Sequence, residues 1–469
     1  MAPRRRLSPQ SVWDCEAVTA AFEAAGANTK HIPRLYNHLI RHPGSSWHDV
    51  PDLPKAAAAA LDTGFALHTT RLLGAQRSCD GETTKLLVQL QDGLQVEAVV
   101  MEYDNTDRYA APQQPDEEAQ GQQGAQQQQG AQQAQGSGQQ QQQQQGGTAG
   151  GAGEEEEEEE EEDDEFHDAL SSLGEAFQLM GGRRATLCVS SEVGCAMGCT
   201  FCATGTMGLT ADLSAGEIVE QLVHARRVAQ IRNIVFMGMG EPLNNYGAVR
   251  SAVGMMTDPR YFGLRRKKVT VSTVGVIPRL LQMADDMPGV SLALSLHAPT
   301  QELRQTIVPS AKAFKLDRLM AAVDEYQQRT LQSVFVEYVM LGPDVNCTPE
   351  HAHQLGELLR GKDVLVNLIP WNPILSPSIS FAAPAEGATA EFHRILRYEY
   401  GVNCTIRAEK GQDISGACGQ LVLEHGGRLA TAGTAGSCGG KTGLADVEDL
   451  LPPPVQPRAQ QAAAAVAAR

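Results

Sequence analysis

The sequence predicts an α/β protein built on a partial (β/α)6 barrel, with a small N-terminal helical domain and a disordered, acidic and Gln-rich insertion. Three observations lead there. From residue 183 onward, six short β-rich runs alternate with helical patterns, the signature of a parallel sheet. Six units are fewer than the eight that close a complete barrel. Residues 105–165 are too polar and too repetitive to bury a core.

The 469 residues divide accordingly. Residues 11–104 form the helical domain plus a hairpin, and 105–182 the low-complexity insertion. Residues 183–423 form the barrel with a cysteine-bearing C-terminal loop, and 424–469 a tail expected to be disordered. In the first part, Ser11 is positioned to cap a helix over 12–25 that Gly26 ends. A second helix spans 32–41 with Leu35, Leu39 and Ile40 on one side, and Pro43-Gly44 closes it. An Ala-rich third runs over 53–63 to Gly64. Runs 86–90 and 95–101 flank Asp92-Gly93, a strong hairpin signal.

The insertion holds Gln runs and nine consecutive glutamates, which repel and extend the chain. Its composition favours a tolerated loop expansion over an interaction tail. In the barrel, strands are expected over 185–190, 233–238, 268–273, 290–296, 334–341 and 364–369. Helices lie between them over 214–230, 246–256, 277–285, 316–328 and 348–359, with 391–400 after the last strand. Ser214 and Glu217 make a capping box for the first of these helices. A short strand over 403–407 follows.

Composition bounds the setting. Fifteen acids and no Lys or Arg fall within residues 112–165, so the net charge of −18 drops to −3 without them. The folded part is near neutral, and a nucleic-acid partner is compatible with that. A hydrophobic share of 42% supports a sizeable core. No run of about 18 apolar residues exists, so no membrane span is expected. Ten cysteines spread over the whole length are not the framework of a small secreted domain. No secretory signal is read ahead of Trp13. Arg4, Arg5, Arg6 and Ser8 give a faint transit-peptide character, against which Asp14 and Glu16 count. The cytoplasm is expected, with plastid or mitochondrion as alternatives.

Residues 193–210 read VGCAMGCTFCATGTMGLT and set Cys195, Cys199 and Cys202 in the pattern CxxxCxxC. A structural zinc ion takes four ligands, and a ferredoxin cluster takes four cysteines. Three thiolates this close leave one iron of a [4Fe–4S] cluster free for a substrate or cofactor. An incomplete zinc knuckle or three unconnected thiols are the alternatives at this point. With Phe201 before the third cysteine, the pattern resembles that of radical S-adenosylmethionine (SAM) enzymes. That likeness implies a radical SAM barrel. It also implies that the open iron takes the amino and carboxylate groups of SAM, which one electron cleaves to a 5′-deoxyadenosyl radical.

In β/α barrels the chemistry sits at the carboxyl ends of the strands. Those ends read Gly238-Met239-Gly240-Glu241-Pro242, Ser272-Thr273, Ser295-Leu296-His297 and Asn367 through Asn372. Singly, Gly240 reads as a turn, His297 as a satisfied loop histidine and Asn367 as a strand-end cap. Together they form a polar set suited to a ribose, an adenine, an amine and a carboxylate. Cys418 sits between Gly416 and Gly419, in a loop that lets its thiol reach the cavity. Cys188, within the first barrel strand, reads by itself as a small buried hydrophobe.

The stretches RATLCVSSEVGCAMGCTFCATG, GMGEPL, SLHAP, EYVMLGPDVN, NLIPWNP and DISGACGQL occur in this order. Together they resemble the RlmN/Cfr family of radical SAM RNA methyltransferases, through residues 183–423 and more loosely through 11–104. The resemblance implies that Cys195, Cys199 and Cys202 hold the [4Fe–4S] cluster. It implies that Gly240, Glu241, Ser272, Ser295, Leu296, His297 and Asn367 contact SAM. It makes Cys418 a methylcysteine intermediate and Cys188 the second catalytic thiol, which forms a disulfide with Cys418. Glu97, in Val96-Glu97-Ala98-Val99, matches the family's catalytic glutamate; the other reading of it is an exposed strand residue.

The implied reaction is formation of 2-methyladenosine in large-subunit rRNA and in tRNA. Carbon-8 methylation and a noncatalytic RNA-binding protein on the same fold are the alternatives. An electron donor of flavodoxin or ferredoxin type and a monomeric state are expected. Arg304, Arg407 and Lys410 are candidate phosphate contacts, while Arg265, Arg266, Lys267 and Lys268 lie at the opposite end of the barrel and read as a solvated face. Deleting residues 112–165 is expected to leave the folded yield and RNA methylation within a few-fold of the full chain. A variant that folds but no longer methylates RNA would overturn the loop-expansion reading.

Overall fold

A computed structural model describes residues 5–103, 184–342, 344–374, 381–407 and 410–421. The readings of 105–182 and 424–469 as disordered lie outside these residues. Ser11 is not a helix cap. It belongs to a two-residue strand, β1 (Gln10–Ser11), and α1 (Cys15–Ala24) starts four residues later. The Asp14 side chain caps it by accepting from the Ala17 N–H. Burial of Val12 and Trp13 explains the shift, because a helix through them would pull both out of the core. Next come α2 (Ile32–Arg41), α3 (Lys55–Gly64) and β2 (Phe65–Ala66), which pairs in parallel with β1.

Three antiparallel strands follow: β3 (Arg71–Arg77), β4 (Thr83–Gln89) and β5 (Gln95–Tyr103). The Asp92-Gly93 hairpin forms as read, but β3 was not anticipated. It is an edge strand with a register break between Leu72 and Gly74, so period-two alternation is lost.

The barrel begins with β6 (Arg184–Cys188), then β7 (Glu192–Cys195), α4 (Ala203–Met207) and β8 (Gly208–Asp212). It continues with α5 (Ala215–Ala225), β9 (Ile231–Phe236), α6 (Tyr246–Thr257), β10 (Val269–Thr273), α7 (Ile277–Asp286) and β11 (Ser291–Ser295). After α8 (Gln301–Ile307) and α9 (Leu316–Thr330) come β12 (Val334–Met340), α10 (Pro349–Leu359) and β13 (Val364–Pro370). The last elements are α11 (Ala388–Arg394) and β14 (Asn403–Ile406). Ser214 and Glu217 do form a capping box on α5.

β6 and β9 to β14 run parallel, in the order β6-β9-β10-β11-β12-β13-β14. β14 therefore adds a seventh parallel strand to the six expected. β5 pairs antiparallel with β6, so the N-terminal hairpin extends the same open sheet to ten strands. One apolar core runs from Phe22, Leu35 and Tyr36 through Val96 and Val100 to the barrel interior. A smaller one, with Phe201, Ile307, Leu341 and Trp371, underlies the cysteine loop. Among the described residues no helix is long and apolar enough to cross a membrane.

A buried carboxylate joins the N-terminal segment to the barrel. Glu220 on α5 accepts from Ser11 Oγ at 2.5 Å, from the backbone N–H of Thr69 and Thr70 at 2.9 and 2.8 Å, and from both threonine hydroxyls. Removing it strands several buried donors. Glu220→Ala is expected to lower stability by about 3 kcal/mol in urea unfolding, against a few tenths for an exposed control such as Glu325→Ala.

Candidate active site

The cysteine loop is shaped by glycines where the backbone passes closest to itself. Gly194 has φ +77°, and a Cβ there would lie 1.9 Å from the Gly208 carbonyl oxygen across the β7–β8 pair. A Cβ on Gly205 would lie 2.7 Å from the Cys199 oxygen. The Thr200 N–H donates to Ile307 at 3.0 Å and the Cys202 N–H to Cys199 at 3.2 Å. So folded, Cys195, Cys199 and Cys202 line one cavity that opens to solvent.

Burial pushes the Cys195 thiol up to about 12, and the Cys199 and Cys202 thiols also rise. Buried thiols become good ligands only where a cation draws off their protons. Among the described residues no three His, Cys, Asp or Glu side chains converge on a point that could hold a single metal ion. A multi-iron cluster asks for a different arrangement, one thiolate to each of three irons. The donor set fits such a group.

The same cavity is lined by Gly240, Glu241, Ser272, Ser295 and His297. Gly240 has φ +101°, and a Cβ there would meet Glu192 Cβ at 2.5 Å, so the backbone can pack this closely on Glu192 only as glycine. Burial raises the Glu241 carboxyl, which accepts from the N–H groups of Leu243 and Val274 at 3.1 and 2.9 Å. Ser272 and Ser295 hydroxyls are 3.2 Å apart. His297 sits in the left-handed region at φ +61°. Its Nδ1 accepts from the Val339 N–H at 3.2 Å, which leaves Nε2 as the protonated ring nitrogen. Burial, with the charge of Arg304, drives His297 down to about 3, so the ring is neutral. Asn346, fully buried, holds this corner by donating to the carbonyls of His297 and Val339 at 2.9 and 2.7 Å.

Two of the expected SAM contacts lie elsewhere. Leu296 is fully buried in the wall: its N–H donates to Glu337 and its carbonyl accepts from Arg304, each at 3.1 Å. Asn367 is engaged with its neighbours: its Nδ2 donates to Glu337 Oε1 at 2.9 Å, and its Oδ1 accepts from Thr405 at 2.8 Å. The side chains that do line the cavity here are Asn372, five residues on, and Glu337. Burial raises the Glu337 carboxyl; its Oε2 has no hydrogen-bond partner, and Arg407 stands 4.0 Å away. An orphaned buried carboxylate oxygen on this wall suits a ligand that brings hydrogen-bond donors.

Cys418 lines this cavity and also a second, smaller one, which it shares with Cys188, Val99, Met101, Tyr103 and Arg407. Burial pushes the Cys188 thiol up to about 12, and the charge of Cys418 adds to it. Arg407 is held further above its ordinary range, first by the negative charge of Cys418. Glu97 is not exposed. It is buried 3.3 Å from the equally buried Lys85, on the strand face that presents Val99, and it lines neither cavity. Its register is fixed by the pairing of Val99 with Cys188 and by Ser190 Oγ, which donates to the Glu97 carbonyl at 2.6 Å.

The phosphate contacts fare differently. Arg304 is fully buried, and its guanidinium donates to the carbonyls of Leu296, Val274 and Ser295, so it closes strand ends and does not reach solvent. Arg407 faces the cavities, and Lys410 pairs with Glu82. Arg265, Arg266, Lys267 and Lys268 are exposed ahead of β10, away from the site. Glu337 and Asn346 went unremarked in the sequence reading, although they lie inside EYVMLGPDVN, and Asn372 was named only as the end of a polar strand terminus and not as a SAM contact.

Residues 189–355 match the family profile of the Radical SAM superfamily. The chain is 35% identical over 379 residues to Ribosomal RNA large subunit methyltransferase N of Nitrosopumilus maritimus, covering 80% of this chain and 86% of that one. It is 46% identical over 253 residues to Dual-specificity RNA methyltransferase RlmN of Alcanivorax borkumensis, covering 51% and 65%. The crystal structure of a radical SAM methyltransferase from Sphaerobacter thermophilus aligns with a TM-score of 0.66 at 31% identity, over 88% of this chain and 99% of that one. With three thiols at one cavity, Cys199→Ala is expected to lose most of the iron and the brown absorbance of the reconstituted protein while keeping its circular dichroism. Full iron content would overturn the ligand set.

Proposed function

This chain belongs to the RlmN family of RNA methyltransferases within the radical SAM superfamily, and from that premise we propose that it methylates carbon 2 of adenosine in large-subunit rRNA through a methyl group carried on Cys418. Transfer RNA is the second substrate in this reading. The observation that carries it is the position of Cys418 in both cavities, with the cluster cysteines on one side and Cys188 on the other.

Carbon 2 of adenine is electron-poor and cannot attack a methyl donor as a nucleophile. A carrier thiol divides the task into two parts. Cys195, Cys199 and Cys202 hold the cluster; Gly240, Glu241, Ser272, Ser295, His297 and, in place of Asn367, Asn372 hold SAM. Bound there, these groups supply the methyl group and the one-electron chemistry that side chains lack. Cys418, as the thiolate, would take the methyl carbon as the donor's sulfonium sulfur leaves with the bonding pair, and would present that carbon to the base, which must leave its stack to reach a buried cavity. Glu97 matches the family's catalytic glutamate in sequence; buried beside Lys85, it lines neither cavity. As product leaves, the Cys188 thiolate attacks the Cys418 sulfur: the S–S bond forms as the S–C bond to the transferred carbon breaks, and that carbon keeps the bonding pair and takes a proton. Because burial keeps the Cys188 thiol protonated near neutral pH, it must give up its proton before it can act. The reading includes a flavodoxin- or ferredoxin-type electron donor, a monomer and the cytoplasm.

Two variants test the roles. Cys418→Ala is expected to retain its cluster and to lose all methyl transfer. Cys188→Ala is expected to form its thioether and attack RNA but to stall, giving a slow-migrating protein–RNA adduct that nuclease removes. Normal turnover in Cys188→Ala, or an adduct in Cys418→Ala, would overturn the assignment. Mass analysis of the nucleoside from the wild type distinguishes carbon 2 from carbon 8.

A further inference from the structure

The segment that carries Cys418 has almost no regular structure of its own beyond one 3₁₀ turn, Gln412–Ile414, yet a carrier thiol has to be held in place. Residues 410–421 are tied down from three sides. From β13, Asn372 Nδ2 donates to the Cys418 carbonyl at 3.2 Å, and Gln412 Nε2 donates to Asn372 Oδ1 at 2.7 Å. From the cysteine loop, the Ala203 N–H donates to Gly419 at 2.8 Å and Thr204 Oγ1 to Leu421 at 2.6 Å. The third side is the turn between β3 and β4, of which the reaction so far makes no use.

There the turn between β3 and β4 meets the segment at its start. The Cys79 N–H donates to Asp413 Oδ2 at 2.7 Å. Lys410 Nζ pairs with Glu82, donates to the Glu102 carbonyl at 3.1 Å and stands 4.6 Å over the Tyr103 ring. Gly411, at φ +70°, packs so tightly that a Cβ would come within 2.7 Å of Thr83 Cγ2. Charge, backbone and shape all converge on one short stretch, five to eight residues before Cys418.

We propose that the β3–β4 turn is a clamp for the methyl-carrying loop, with Asp413 and Lys410 as its positioning residues. The N-terminal hairpin then completes the catalytic wall on two counts. It supplies Val99, Met101 and Tyr103 to the cavity of the two thiols, and it fixes the loop that brings Cys418 there. Loss of the clamp lets Cys418 drift from Cys188 while the barrel and the cluster loop stay intact. The inference rests on the reading of Cys418 as the methyl carrier.

Its test reads geometry without methyl transfer. Cluster-loaded full-length protein, free of SAM and RNA, is treated with diamide. Cys188 and Cys418 give up two protons and two electrons to the N=N bond, which becomes a hydrazine, and the linked peptides are followed by mass spectrometry. The double variant Asp413→Ala/Lys410→Met is expected to couple about 10- to 100-fold more slowly than wild type, the scale for a misplacement of about 1 Å. Asp413→Asn/Lys410→Arg keeps the acceptor and the charge and is expected to stay within a few-fold of wild type. Iron content and circular dichroism are expected to be unchanged in both. If the double variant loses iron, Asp413→Ala alone is used. Wild-type coupling in the Ala variants, or no coupling in the wild type, overturns the clamp. Methyl transfer that survived Cys418→Ala would instead sink the carrier reading, and the coupling rate does not depend on that result.

Discussion

The hydrogen bond from the Ala203 N–H to the Gly419 carbonyl is the contact on which the active centre depends. It joins the residue after Cys202 to the residue after Cys418. Gly419, at φ +83°, turns its carbonyl toward the cysteine loop in a conformation that most side chains disfavour. Thr204 repeats the tie one turn later on Leu421. A segment with little secondary structure is thereby held against the opening turn of α4, and its thiol is exposed to two cavities at once. Without that tie, Cys418 would be an ordinary loop cysteine at the end of a long chain.

The cavity walls obey a second constraint, since polar groups that leave water must find partners. Arg304 answers it for the strand ends by turning inward and taking three carbonyls. Asn346 answers it for the corner that holds His297 in the left-handed region. Glu241 is held by two backbone N–H groups, and Glu192 in turn accepts the Glu241 N–H at 2.8 Å. On the cavity side, the Glu337 Oε2 is left without a hydrogen-bond partner, and the Ser272 and Ser295 hydroxyls bond only to each other among the contacts described. Polar groups held by such bonds present an oriented surface to a ligand, and the cost of orienting them falls on folding and not on binding.

The N-terminal region is continuous with this machinery. Because β5 pairs with β6, the position of Val99 opposite Cys188 is set by the same ladder that builds the barrel. Glu220 fastens the chain before and after the N-terminal helices onto α5. The helices, the hairpin and the barrel share one core, so a change in the hairpin register would be felt beside the second thiol.

Much of this was legible from the residues alone, for physical reasons that are local. Alternating β and helical runs report their own periodicity. The capping box of Ser214 and Glu217 lies within one turn, as does the Asp92-Gly93 hairpin signal. CxxxCxxC places three thiols in one loop whatever surrounds them. Features that depend on which surface meets which were not legible. Ser11 looks like a cap until Val12 and Trp13 are seen to need the core. Asn367 and Asn372 are equally plausible in NLIPWNP, and only the strand register shows the first engaged by Glu337 and Thr405 and the second on the cavity wall. Arg304 looks like a phosphate contact because its direction is invisible in a string of letters. Spacing determines which groups lie together along the chain; tertiary packing decides which way each side chain faces and which polar atoms are left to act.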